Sequence, residues 1–200
     1  MVGEASPITL HDEGLTYVSR AALKLKHALK AFVIDLNGCR ALDIGASTGG
    51  FTQLLLEQGA AHVTAIDVGH GQMVSHLAAD PRVLSIEGLN ARDLDASHLA
   101  GPINLIVCDV SFISLQLALP KALALAEPGA CLVALIKPQF EVGREALGKG
   151  GIVTDSAEHD RVCAEIVRFL QTSGWNVQGL VPSPLEGGDG NKEFLVAACK

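Results

Sequence analysis

The chain of 200 residues has no apolar run near the ~20 residues that a membrane-spanning helix needs. Its opening stretch, MVGEASPITLHDEG, is polar and acidic, unlike a secretory or transit peptide. Both absences lead us to expect a soluble, cytoplasmic protein. The five cysteines are odd in number and none stands in CxxC spacing, so they are expected as small buried hydrophobes rather than disulfides or metal ligands. The seven histidines show neither HxxxH nor HExxH spacing, and no metal site is expected. His70, His76 and His159 are assigned to solvated faces, and the single tryptophan, Trp175, to the core rather than to a base-stacking platform. An excess of basic charge is also missing: the formal net charge is −7 and the pI about 5.4, which argues against a general nucleic-acid binder. One region departs from this. Residues 14–40 hold Arg20, Lys24, Lys26, Lys30 and Arg40 against Asp35 alone, a small positive footprint on an acidic body.

What is present is a core. Apolar residues make up 48% of the chain and mean hydropathy is +0.33, which excludes disorder, and the length suits one α/β domain. Residues 17–34 have apolar positions at a helical period, with Arg20, Lys24 and His27 sharing a polar stripe. Strands are expected at Arg40–Ile44, His62–Asp67, Val83–Glu87, Ile103–Asp109 and Cys131–Lys137, with a closing pair at Trp175–Val181 and Glu193–Cys199. Helices are expected at Phe51–Gln58, Gln72–Ala79, Leu115–Ala126 and Ser156–Thr172, the last with Asp155 and Glu158 placed as a capping box. The long loop Pro138–Asp155, with Gly143, Gly148, Gly150 and Gly151, is expected to order over a cofactor. Residues 1–16 are an extension and 17–200 form a single domain. Alternating strands and helices imply a mainly parallel sheet whose ligand crevice lies beyond the carboxyl ends of the strands. Asp43, Asp67, Asp109 and Lys137 all fall at or near such ends.

Gly45-Ala-Ser-Thr-Gly49-Gly50 follows a strand and opens a helix, as a phosphate or nucleoside turn does. A dinucleotide fingerprint would place glycine where this chain has Ser47. Asp67, at the end of the second strand, is placed to accept hydrogen bonds from ribose hydroxyls. Turn and acid together point to an adenosine-type cofactor. Asp109 and Lys137 form either a structural ion pair at the sheet rim or a site in which lysine acts as a base. Lys24 reads alone as a solvent-facing helical lysine, and Glu193 as an edge charge.

Six segments together carry a resemblance: YVSRAALKL (Tyr17–Leu25), ALDIGASTGGFT (Ala41–Thr52), CDVSFISL (Cys108–Leu115), IKPQFEVGRE (Ile136–Glu145), GKGGIVTD (Gly148–Asp155) and NKEFLV (Asn191–Val196). The chain resembles the TlyA family of FtsJ-like, S-adenosylmethionine-dependent ribosomal RNA methyltransferases, often labelled haemolysins. The resemblance implies a Rossmann-like class I methyltransferase fold, a mainly parallel seven-stranded sheet with helices on both faces. It implies ribose 2′-O-methylation of ribosomal RNA, at cytidine, by a tetrad of Lys24, Asp109, Lys137 and Glu193. It also implies cofactor contacts among Asp43, Gly45, Ser47, Gly49, Gly50, Phe51, Asp67, Asn90 and Asp109, and RNA contacts from Arg20 and Lys24. Alternative readings are a class I methyltransferase for a small molecule or protein, and a membrane-active haemolysin. Members of the family usually carry an N-terminal S4-type RNA-binding domain, where this chain has 16 residues. Weak RNA affinity is therefore expected.

Overall fold

A computed structural model describes residues 16–143, 145, 147–187 and 190–200. The first fifteen residues of the expected extension lie outside that range. Seven strands form one sheet: β1 (Arg40–Ile44), β2 (His62–Asp67), β3 (Val83–Glu87), β4 (Ile103–Cys108), β5 (Ala126–Ile136), β6 (Asn176–Pro182) and β7 (Phe194–Cys199). Their spatial order is β3-β2-β1-β4-β5-β7-β6, and β7 runs antiparallel between β5 and β6 while the other pairings are parallel. The chain leaves β1 toward β2 and β3 on one side, then returns to place β4 on the other. That reversal opens a crevice beyond the carboxyl ends of β1 and β4.

Both faces of the sheet are covered. On one lie α1 (Ala21–Phe32), α2 (Gly50–Glu57) and α3 (Ser75–Ala78), burying Leu25, Leu54, Leu55 and Leu77. On the other lie α4 (Leu115–Ala118), α5 (Pro120–Leu125) and α7 (Ser156–Thr172), burying Leu115, Leu119, Val162 and Ile166. Between these layers the central strands read as nearly continuous apolar runs, as strands buried on both faces must. Gly45 shows how tightly the turn is drawn in: its φ is +82°, and a Cβ there would stand 2.4 Å from the Asp109 carbonyl oxygen.

Several expectations are corrected. The helix expected over Leu115–Ala126 is two, because Pro120 has no N–H to continue the first and instead occupies the first turn of the second. The segment after Lys137 is not a bare loop; it holds α6 (Pro138–Glu141) and a 3₁₀ turn at Lys149–Gly151. Asp155 caps α7 by accepting from the Ala157 amide at 2.9 Å, but Glu158 turns to Arg161 at 2.6 Å, so the capping box does not close. His159 is buried, its Nε2 2.9 Å from the Val153 carbonyl and its ring against Phe194. Trp175 is core, as expected. Cys39, Cys108 and Cys163 are buried, whereas Cys131 and Cys199 are half-buried free thiols facing each other across β5 and β7 with 2.8 Å between sulfurs.

Candidate active site

The first half of the site is stitched from backbone. The amides of Gly45 and Ala46 donate to the Ile66 carbonyl at 2.9 and 3.1 Å, and the Asp109 amide donates to Ile44 at 3.0 Å, tying the ends of three strands together. Asp67 extends this framework: its Oδ2 accepts from the Ser47 amide at 2.8 Å and its Oδ1 from the Gly69 amide at 2.7 Å. Glu87, at the end of β3, accepts from the amides of Gly71, Gln72 and Met73, and these bonds hold its carboxyl below the usual carboxylate range. Around this framework lies a cleft of about 890 Å³. Gly45, Ser47, Asp67, Asn90 and Asp109 form its polar wall, and Val68, Leu89, Ile113 and Leu117 contribute apolar surface. The Asn90 Oδ1 accepts from the Arg92 amide, so that side chain also caps the turn on which it sits.

The other residues proposed from sequence for the cofactor lie behind this wall. Phe51 is buried in the core under α1. A Cβ on Gly49 would meet Leu77 at 2.5 Å, and one on Gly50 would meet Ser19 at 2.8 Å; these glycines let α2 and its neighbours approach. Asp43 is fully buried, its Oδ2 accepting from the Thr52 hydroxyl at 2.7 Å while its Oδ1 has no hydrogen-bond partner. Burial is the main reason its carboxyl is pushed up to about 7; the Thr52 bond opposes the shift, and the nearby charges of Asp109 and Asp67 add to it.

The second half is built from side chains distant in sequence. Lys24 does not share the solvent stripe of Arg20 and His27. It turns inward, and its Nζ donates to Glu193 Oε2 at 2.5 Å, an ion pair spanning 169 residues and almost wholly withdrawn from solvent. Lys137, one residue beyond β5, reaches Asp109 Oδ1 at 2.6 Å and donates to the Ser111 hydroxyl at 3.0 Å. Lys24, Lys137 and Glu193 line a cleft of about 540 Å³, together with Arg20, Gly150 and Gly151. Among the described residues, the glycine-rich segment after α6 therefore flanks this cleft and not the one beside Asp67. Asn191 fastens it, its Oδ1 accepting from the Val153 amide at 3.1 Å.

Ser111, Phe112 and Phe140 line both clefts and so mark where they meet. Phe112 has a φ of +65°, rare for a non-glycine residue, and is 90% exposed, with its ring centroid 4.9 Å from that of Phe140. Glu141 braces the junction from below. Its carboxylate accepts from the Ser114 hydroxyl at 2.5 Å and from the Leu115 amide at 2.8 Å, and burial pushes its pKa up. Sequence reasoning missed these junction residues: nothing in the side chain of a phenylalanine signals positive φ. Among the described residues no group of His, Cys, Asp or Glu could hold a metal ion, and no helix is long and apolar enough to cross a membrane.

A strand-end glycine turn, an acid closing β2 and two lysine–carboxylate pairs beside adjoining clefts make up the site, and the family model of the FtsJ-like methyltransferases matches residues 17–200. The chain belongs to the FtsJ-like methyltransferase family. The 16S/23S rRNA (cytidine-2′-O)-methyltransferase TlyA of Mycobacterium tuberculosis is 47% identical over 185 residues, covering 92% of this methyltransferase and 69% of that protein. Hemolysin A of Brachyspira hyodysenteriae is 41% identical over 184 residues, covering 92% and 77%. Such relatives place this FtsJ-like chain in the TlyA group. The solved structure of a candidate hemolysin from Streptococcus thermophilus superposes with a TM-score of 0.90 at 43% identity, covering 98% of this chain and 69% of that one. An S-adenosylmethionine-dependent methyltransferase from Mesorhizobium loti, at 14% identity and a TM-score of 0.64, shares the fold.

Proposed function

We propose that this chain transfers a methyl group from S-adenosylmethionine to a ribose 2′-hydroxyl of ribosomal RNA, at cytidine. The observation that carries this reading is the placement of Asp109 and Lys137. They are ion-paired, yet Asp109 lines the larger cleft and Lys137 the smaller. The larger cleft fits an adenosyl cofactor, with the Asp67 carboxylate free to accept further hydrogen bonds from ribose hydroxyls and apolar side chains to flank a base. The relatives' printed activities as rRNA cytidine-2′-O-methyltransferases support the same donor and acceptor.

Bound S-adenosylmethionine would supply a methyl group on a sulfonium, with the electron pair of the breaking C–S bond returning to sulfur. The chain's contribution is alignment and proton removal. Lys137 faces the acceptor hydroxyl and orients it, and as the neutral amine, its own proton first lost to solvent, takes the hydroxyl proton while the new O–C bond forms. Asp109 holds Lys137 from the cofactor side. The Lys24–Glu193 pair forms the opposite wall of the smaller cleft and fixes the start of β7 against α1. Arg20, exposed at the mouth, meets the RNA backbone, while Lys24 is committed to Glu193. Phe112, exposed at the junction, offers its ring to the nucleotide whose ribose enters.

The test is transfer of labelled methyl from S-adenosylmethionine to unmodified ribosomal subunits, followed by nucleoside analysis, with Lys137→Ala as control. Label in 2′-O-methylcytidine that disappears in the variant is expected. Label on a base, or on small-molecule or protein acceptors alone, would refute the reading.

A further inference from the structure

We propose that Ser111 is a positioning residue for methyl transfer, its hydroxyl aiming the Lys137 amine at the point where the two clefts join. The inference rests on the reading of Lys137 as the group that faces the acceptor hydroxyl.

Lys137 carries its amine at the end of a flexible four-carbon stem, with three N–H directions to satisfy. Its contact with Asp109 is short, 2.6 Å, but Asp109 Oδ1 is left without a properly aligned hydrogen bond. The contact is therefore one of charge and proximity, and it does not by itself set the direction of the amine. The bond to Ser111 Oγ, at 3.0 Å, does satisfy hydrogen-bond geometry. Asp109 and Ser111 stand two residues apart on the turn after β4, so one segment supplies both the charge that retains the amine and the bond that directs it.

The chemistry favours a hydroxyl at this point. A carboxylate only accepts hydrogen bonds, whereas a serine hydroxyl accepts from a charged amine and donates to a neutral one. Ser111 therefore keeps its hold on Lys137 in either protonation state, while the hold of Asp109 weakens when the amine loses its charge. Ser111 is also solvent-exposed and lines both clefts. An exposed hydroxyl contributes little to folding, so its removal acts on the site with little effect on the fold.

The experiment compares Ser111→Ala, Ser111→Thr and Lys137→Ala with the unaltered chain, in steady-state methyl transfer to unmodified ribosomal subunits across neutral to alkaline pH. Thermal melting and S-adenosylhomocysteine binding are measured alongside. Ser111→Ala is expected to lower kcat about tenfold, the rate equivalent of one hydrogen bond. The pH at which the rate rises should shift, with KM for cofactor and RNA unchanged and melting unaltered. Ser111→Thr, which keeps the hydroxyl, restores the rate and the pH profile. Full kcat with an unshifted profile in Ser111→Ala, beside an inactive Lys137→Ala, would overturn the inference and leave the reading of Lys137 intact. A rise in KM for the cofactor with kcat unchanged would also overturn it, by making Ser111 a cofactor contact. Full activity in Lys137→Ala would remove the reading of Lys137 itself, and the inference with it.

Discussion

Asp67 and Glu87, at the ends of β2 and β3, give their carboxylates mainly to backbone amides of nearby turns, whereas Glu193 and Asp109 give theirs to lysines brought in from α1 and from the end of β5. The first arrangement is a preformed cradle, whose geometry is set by short stretches of chain and needs no burial of opposite charge. The second is assembled by tertiary structure. It places two lysines and two acids close to a cleft where an isolated charge would be costly to desolvate. Under the proposed function, the cleft read as receiving a small cofactor and the cleft read as meeting a large acceptor are thus built on different physical terms in one fold.

The largest expected effects fall on the chemical side. Lys137→Ala should reduce methyl transfer by ~10²–10⁴-fold, with cofactor affinity by calorimetry unchanged; loss of cofactor binding instead would erase the distinction between the clefts. Next is the Lys24–Glu193 pair. Removing one partner, as in Glu193→Ala, leaves a lysine unpaired in a buried place and should cost about 3–5 kcal/mol of folding stability in denaturant melts. Replacing both with apolar residues, Lys24→Met with Glu193→Leu, should recover most of that stability without recovering activity. If each single variant is as stable as the unaltered chain, the pair is not the buried device described here.

On the cradle side, Asp67→Ala should weaken S-adenosylhomocysteine binding by about 1.5–3 kcal/mol, as expected for a hydrogen bond to a charged group, and leave KM for RNA unchanged. A last effect, on stability and not on activity, sharpens the contrast from beneath. Asp43 holds its proton to about pH 7 in the folded chain but would lose it near 3.8 when unfolded. The folded state therefore binds more protons across that window, and stability should fall as pH rises through it. Asp43→Asn should flatten this part of the pH–stability curve, measured by melting temperature.

How much of this was legible follows the same division. The cradle could be read locally: Gly45 and Ser47 after β1 and Asp67 at the end of β2 lie within one βαβ unit, and strand-end reasoning placed them. Most strand boundaries were close for the same reason, since each buried strand is an apolar run between turn signals; β5 is the exception, beginning at Ala126, five residues before the expected Cys131, because its first part crosses Pro128 and Gly129, which read as a turn. The lysines were harder. Lys24 fits a polar stripe by periodicity, and only the burial of its partner Glu193, 169 residues on, turns it inward; the resemblance indicated the tetrad, and composition did not. Pro120 divided a helix that apolar spacing alone had joined. The meeting of Ser111, Phe112 and Phe140 depends on a positive φ and on the packing of α6, neither of which has a signature in residue type.

The measurement that tests the central claim most directly is the position of transferred methyl on ribosomal RNA. Unmodified subunits incubated with labelled S-adenosylmethionine and the unaltered chain, then digested to nucleosides, should yield label in 2′-O-methylcytidine, and none with Lys137→Ala. Cofactor binding without label in any ribose, or equal label with Lys137→Ala, would contradict the account.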